Sequence, residues 1–227
     1  MNRIDPTPRL EPIPAALSRA ERWTIAAALL VLLLQAAVGR WPALGALLEY
    51  RRELLAGAPW RLVTAHLVHV GWGHALVNVM AWLIVARLFA AELGAAEQAL
   101  VALVASIAIS LGLAAAFPGI AWYRGLSGVL HALFAAGAAA ALVEALGSTR
   151  GSGARRTAAA AGYPVALLAG AWIKVGVESV SAGASLHPVA WLGAAVVTQA
   201  HLIGAAFGTA AGIALGFDHR IARRRGR

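Results

Sequence analysis

Residues 200–216 read AHLIGAAFGTAAGIALG, and the spacing inside this stretch decides how the chain folds. Gly204, Gly208, Gly212 and Gly216 recur every four residues, so in a helix they line one face. His201 stands three residues before the first of them and caps nearly the same face. A ridge without side chains lets a second membrane helix approach backbone to backbone. The stretch that opens at residue 125 offers the matching face: Gly128, Ala132, Ala135 or Ala136, and Ala139. If these faces pack with their outer ends at one level, Ser127 and His201 come within hydrogen-bond reach.

Composition says where such helices sit. Of 227 residues, 60% are apolar and 13% charged, whereas a soluble domain carries roughly a quarter charged residues. The chain cannot cover its own surface in water, so its first partner is the lipid bilayer. A spanning helix needs about 20 apolar residues, and the length allows about six spans in one bundle. There are no cysteines, which removes disulfides, thiolate nucleophiles and Cys-based metal sites. The net charge is +9, but the basic residues are dispersed at span ends. Only Arg223, Arg224, Arg225 and Arg227 cluster, as an anchor for the last helix at an anionic membrane surface. No nucleic-acid partner is expected.

The expected fold is an all-α membrane protein, a bundle of six transmembrane helices. Residues 1–22 form a polar, Pro-rich cytoplasmic tail, residues 23–217 the six-helix domain and residues 218–227 a basic cytoplasmic tail. The spans are expected at 23–39, 72–90, 97–117, 125–146, 161–180 and 196–217. The first is too long, behind too long a polar segment, for a signal peptide, and is read as a retained helix. Residues 40–65 carry Arg40, Glu49, Arg51, Arg52, Glu53 and Arg61 among Trp, Leu and Ala. They are too charged to span and suit a large loop lying in the membrane interface. GSTRGSGARR (147–156) is a linker. With both termini inside, thirteen Arg residues (3, 9, 19, 22, 87, 150, 155, 156, 220, 223, 224, 225, 227) face the cytoplasm and five (40, 51, 52, 61, 124) face outward. That bias places both termini in the cytoplasm. The starts of spans 4 and 6 then lie on the outer side.

Polar groups inside hydrocarbon are few, costly and usually functional. Ser127 opens span 4, flanked by Gly125 and Gly128. Unpaired N–H groups and the positive helix end there suit an attack that creates an oxyanion. A histidine suits the task of a general base, so His201 would activate the hydroxyl. His74 and Asn78, at i and i+4 on span 2, share a face and can donate to the oxyanion beside the Ser127 N–H. Zinc is not expected: His69 and His74 do not share a face, and no H-E-x-x-H occurs. No other cofactor is called for. Apart from Glu97, which opens span 3, Glu144 and Glu178 are the only acids inside spans, and Glu178, one turn after Lys174, reads as its ion-pair partner. The arrangement is therefore a Ser–His dyad. The rival classes are a membrane protein that binds transmembrane clients without cleaving them, and a small transporter.

These residues carry a resemblance. WRLVTAHLVHVGWGHALVN (60–78), GLSGVL (125–130) and AHLIGAAFG (200–208) resemble, in order and spacing, the signature segments of bacterial rhomboid intramembrane serine proteases. The resemblance implies Ser127 as nucleophile, His201 as base, and His74 and Asn78 in the oxyanion hole. Trp60 and Arg61 would be structural loop residues, and His69 would help hold the loop to span 2. Gly125, Gly128, Gly204 and Gly208 would support the site. His131 stands where many members have a Tyr that stacks on the catalytic histidine, and it could stack or hydrogen-bond there. His131, Tyr123-Arg124 before the motif, Lys174/Glu178 and the short six-span form look like the rhombosortase branch. Members of that branch are thought to process secreted proteins bearing a C-terminal Gly-Gly motif, a hydrophobic helix and a basic tail. The resemblance thus implies transmembrane protein substrates, a bacterial inner-membrane location and an active site open to the periplasm.

Overall fold

The computed structural model describes residues 17–148, 153–181 and 196–225. The Pro-rich stretch of the expected tail and part of the 147–156 linker lie outside the described residues. The elements are α1 (Arg19–Arg40), α2 (Pro42–Leu48), β1 (Tyr50–Arg51), a 3-10 turn (Arg52–Leu54), α3 (Arg61–Thr64), α4 (Trp72–Leu88), α5 (Ala95–Ala116), β2 (Trp122–Tyr123), α6 (Ser127–Ser148), α7 (Ala154–Ser181) and α8 (Thr198–Arg225). Five of them, α1, α5, α6, α7 and α8, are long and apolar enough to cross a membrane. The chain is a multi-pass membrane protein. The remaining expected span, α4, is apolar but shorter, at 17 residues, a rise of about 26 Å against a hydrocarbon core of roughly 30 Å.

Helix α1 starts four residues before the expected span. Ser18 and Glu21 close a capping box, with Ser18 Oγ accepting from the Glu21 N–H at 3.1 Å and the Glu21 carboxylate accepting from the Ser18 N–H at 2.9 Å. That reciprocal pair satisfies donors left open by the helix start. At the far end, α8 continues well past residue 217, through the expected basic tail, to Arg225. There Arg223 pairs with Glu144 of α6, and the His219 ring meets the Glu97 carboxylate of α5 at 2.5 Å.

The α6–α8 seam is the centre of the bundle. A β-carbon built on Gly204, Gly208 or Gly212 would lie 2.1, 2.0 or 2.1 Å from the carbonyl oxygens of Gly128, Ala132 and Ala136. Nothing larger than hydrogen fits, so the helices touch main chain to main chain. The ridge of α6 runs 128, 132, 136, 140: Gly216 meets Val143 and the Ala140 carbonyl rather than the expected Ala139. The reason is that a row of residues four apart continues unbroken, and 139 falls off it.

The expected large loop folds into α2, β1, the 3-10 turn and α3. It is not wholly helical. Tyr50 pairs with Tyr123 and Arg51 with Trp122 in a two-residue antiparallel ladder, a small addition to an otherwise helical fold. Two-residue strands are too short to leave an alternating pattern in a sequence. Arg61, buried, donates from Nη1 to the carbonyls of Ala46 (2.8 Å) and Glu49 (2.6 Å). Trp60 Nε1 donates to the Leu47 carbonyl at 3.2 Å. Both side chains therefore tie α3 to the α2 end. The buried Glu49 carboxylate accepts from Arg51 Nε at 2.5 Å and from Arg124 Nε at 2.6 Å. This joins the loop to the segment that leads into α6.

Candidate active site

The segment 122–127 delivers Ser127. β2 fixes one side, and the Gly125 N–H donates to the Ala65 carbonyl at 3.0 Å. Gly125 has φ +129°, and a β-carbon there would lie 2.6 Å from the His74 ring. Glycine is required on both counts. The chain then turns into α6 with Ser127 as its first residue, where N–H groups lack intrahelical partners.

On α8, His201 is 4% exposed. Its Nε2 lies 2.9 Å from Ser127 Oγ. Next to it, His131 of α6 lies with its ring 4.1 Å from that of His201, the planes inclined by 17°. His131 both stacks and hydrogen-bonds: its Nδ1 is 2.7 Å from the Ser127 carbonyl oxygen and its Nε2 is 3.0 Å from Lys174 Nζ.

Glu178 is not merely the partner of Lys174, as the sequence suggested. Lys174 Nζ donates to Oε1 at 2.6 Å, while Oε2 lies 2.9 Å from His201 Nδ1. The residue thus touches both the ammonium and the imidazole. No local pattern announces this contact, because the partner is 23 positions away on another helix.

His74 and Asn78 share α4 as expected. His74 and Ser127 border one open cavity of about 400 Å³, together with residues 119–124, Val70, Val196 and Val197. Asn78 is buried one turn further along α4. His74 Nδ1 and Asn78 Nδ2 are buried without a hydrogen-bond partner among the described residues.

His69 is buried, edge-on to the His74 ring at 4.9 Å, and its Nε2 faces the Leu126 N–H at 3.4 Å. It thus touches α4 and the segment before Ser127 alike. Burial drives its pKa down to about 3, and the neighbouring His74 adds to the effect. His66, which sequence reasoning left without a role, is fully buried. Its Nε2 lies 3.0 Å from the Ser106 carbonyl and 3.1 Å from Ser110 Oγ, and burial lowers its pKa to about 4. Both side chains are neutral props. The Tyr123 hydroxyl, which donates to the Gly125 carbonyl, is pushed up to about 12 by burial.

His131, Glu178 and His201 bring one ligating atom each within 4.8 Å of one another, a metal-like spacing the sequence did not suggest. The Lys174 ammonium, however, already holds His131 Nε2 and Glu178 Oε1. Those two atoms serve a cation that the chain itself supplies.

Chemically, the arrangement sets a hydroxyl against a buried imidazole at a positive helix end, beside a cavity bordered by His74, with Asn78 one turn away. The family description "Rhomboid domain" matches residues 56–217. No curated protein matches the chain.

Proposed function

The chain belongs to the rhomboid family, a family of intramembrane serine proteases, and from that premise we propose that it is an intramembrane endopeptidase using Ser127 and His201. The single observation that carries this reading is the 2.9 Å separation of Ser127 Oγ from His201 Nε2.

In the proposed cycle, a transmembrane substrate segment presents its scissile carbonyl in the cavity beside Ser127 and His74. His201 Nε2 takes the Ser127 proton as Oγ attacks. The oxyanion is received by the Ser127 N–H, His74 and Asn78, whose free buried donors support that role. His201 then returns its proton to the leaving amine, and water hydrolyses the acyl-enzyme. Rigid α6–α8 contact serves catalysis because reacting groups need fine placement.

The finer assignment is the rhombosortase branch: cleavage of C-terminal Gly-Gly, helix and basic-tail signals on secreted proteins. It rests on His131 in the Tyr position, on Tyr123-Arg124, and on Lys174 and Glu178. In the proposed setting α4 completes six spans, the membrane is the bacterial inner membrane, both termini are cytoplasmic and the cavity opens to the periplasm. The arginine asymmetry supports that orientation.

The test is co-expression with a Gly-Gly-tailed secreted protein. Loss of its C-terminal helix is expected with the wild-type chain and not with Ser127→Ala. Equal cleavage by the two would rule the mechanism out.

A further inference from the structure

Resting on that reading of Ser127 and His201, we propose that Glu178 and Lys174 of α7 are positioning residues that turn the Ser–His pair into a relay of fixed proton direction. The geometry admits one assignment of protons. An ionised carboxylate only accepts hydrogen bonds. With Glu178 Oε2 2.9 Å from His201 Nδ1, the imidazole proton must sit on Nδ1. The neutral ring has no second N–H, so Nε2 presents its lone pair to Ser127 Oγ at 2.9 Å. That is the tautomer a general base needs.

Lys174 fixes the neighbouring ring by the opposite logic. An ammonium only donates. With Nζ 3.0 Å from His131 Nε2, that nitrogen must accept, and the His131 proton lies on Nδ1, where it donates to the Ser127 carbonyl at 2.7 Å. His131 is thereby held neutral while stacked at 4.1 Å on His201. A second cation there would oppose charging of His201. The same ammonium occupies Glu178 Oε1 and leaves Oε2 to the base.

A plain i,i+4 ion pair that stabilises α7 is the simpler explanation. Exposed pairs of that kind contribute little, and Lys174 is 52% exposed at its side chain. A simple pair also gives no reason for the second carboxylate oxygen to meet a histidine that is itself buried. When Ser127 attacks, its proton moves to Nε2 and His201 becomes an imidazolium. The Nδ1 proton stays where it is, and Glu178 remains ionised, so the new charge forms against a carboxylate already in place. A buried cation without that partner is costly.

The test uses the full-length protein in detergent and measures fluorophosphonate labelling rate against pH. The groups facing His201 are Ser127 and His131 from α6, Lys174 and Glu178 from α7, and His74 from α4. Glu178→Gln is expected to slow labelling roughly 10²–10⁴-fold and to move the acid limb to lower pH, because the carboxylate no longer supports the imidazolium. Glu178→Asp keeps the charge and is expected to hold the acid limb at its wild-type pH with a loss below about 10². A merely structural Glu178 would lower the melting temperature and leave the rate and acid limb of the folded variant unchanged; that result overturns the proposal. If Glu178→Gln does not fold, ring-nitrogen NMR of His201 in the wild-type protein decides: a proton on Nδ1 is expected, and a proton on Nε2 is equally fatal. Ser127→Ala separates the two readings. Labelling that survives in Ser127→Ala defeats the protease reading itself. Labelling lost in Ser127→Ala but intact in Glu178→Gln defeats only the relay.

Discussion

His131 lies flat against His201, ring on ring at 4.1 Å, while its Nδ1 bonds the carbonyl of the residue that bears the reactive hydroxyl. The contact limits how far the His201 ring can rotate. His131→Phe preserves the flat face and is expected to keep labelling within about 10-fold of wild type, whereas His131→Ala should lose roughly 10²-fold, the scale of a misplaced catalytic group. Equal rates in the two variants would show that the stack does not position the base.

The glycine seam makes a sharp contrast with glycines elsewhere. Gly208→Ala would set a β-carbon 2.0 Å from the Ala132 carbonyl. Overpacking against backbone should cost about 3 kcal/mol or more and take Ser127-dependent labelling with it. Gly176→Ala meets nothing within 4 Å, and should be neutral or stabilise α7 by up to about 1 kcal/mol. Unfolding midpoints in detergent check both.

Glu49 is 2% exposed and bonded to Arg51 and Arg124. Glu49→Ala leaves Arg124, 18% exposed at its side chain, without a counter-charge. A loss of roughly 3 kcal/mol is expected, as when one partner of a buried pair is removed. Arg124 immediately precedes Gly125, so labelling at Ser127 should fall as well. Unchanged stability would mean that the ion pair is not needed to join the two loops.

Acid should weaken the fold through His66 and His69. Both are held neutral, with pKa values lowered to about 4 and about 3, against about 6.5 in an unfolded chain. Between these values the unfolded chain binds more protons than the folded one, so stability rises with pH. The stabilisation from each is complete above about pH 6.5 and is lost as pH falls toward its folded value. Between pH 7 and 5, above the ordinary range of carboxylates, melting temperature should drop. His66→Asn should flatten that dependence, and an unchanged slope would count against it.

The parts of this molecule that were legible in its sequence are those that repeat at short range. Four glycines at a four-residue interval gave the face of α8, and apolar runs located the helices, although α7 starts at Ala154 and α8 ends at Arg225, well outside the expected spans. Ser127 and His201 followed, because each stands at the end of a ridge. Glu178 was not legible in the same way. Lys174, one turn away on its own helix, offers a sufficient local partner, whereas the contact with His201 exists only once α7 lies beside α8. Likewise, the Tyr50–Tyr123 pairing joins residues 73 positions apart and has no periodic signal. His66 becomes meaningful only when Ser106 and Ser110 of α5 come up against it.

Because Gly204, Gly208 and Gly212 press directly on peptide carbonyls, the distance between α6 and α8 is gauged by main-chain atoms, whose bond lengths and radii do not vary. No rotamer, neighbouring lipid or exchange of one aliphatic residue for another enters that measurement. The outward faces of both helices are thus free to change composition to suit a different bilayer, while the span between hydroxyl and imidazole keeps its calibration.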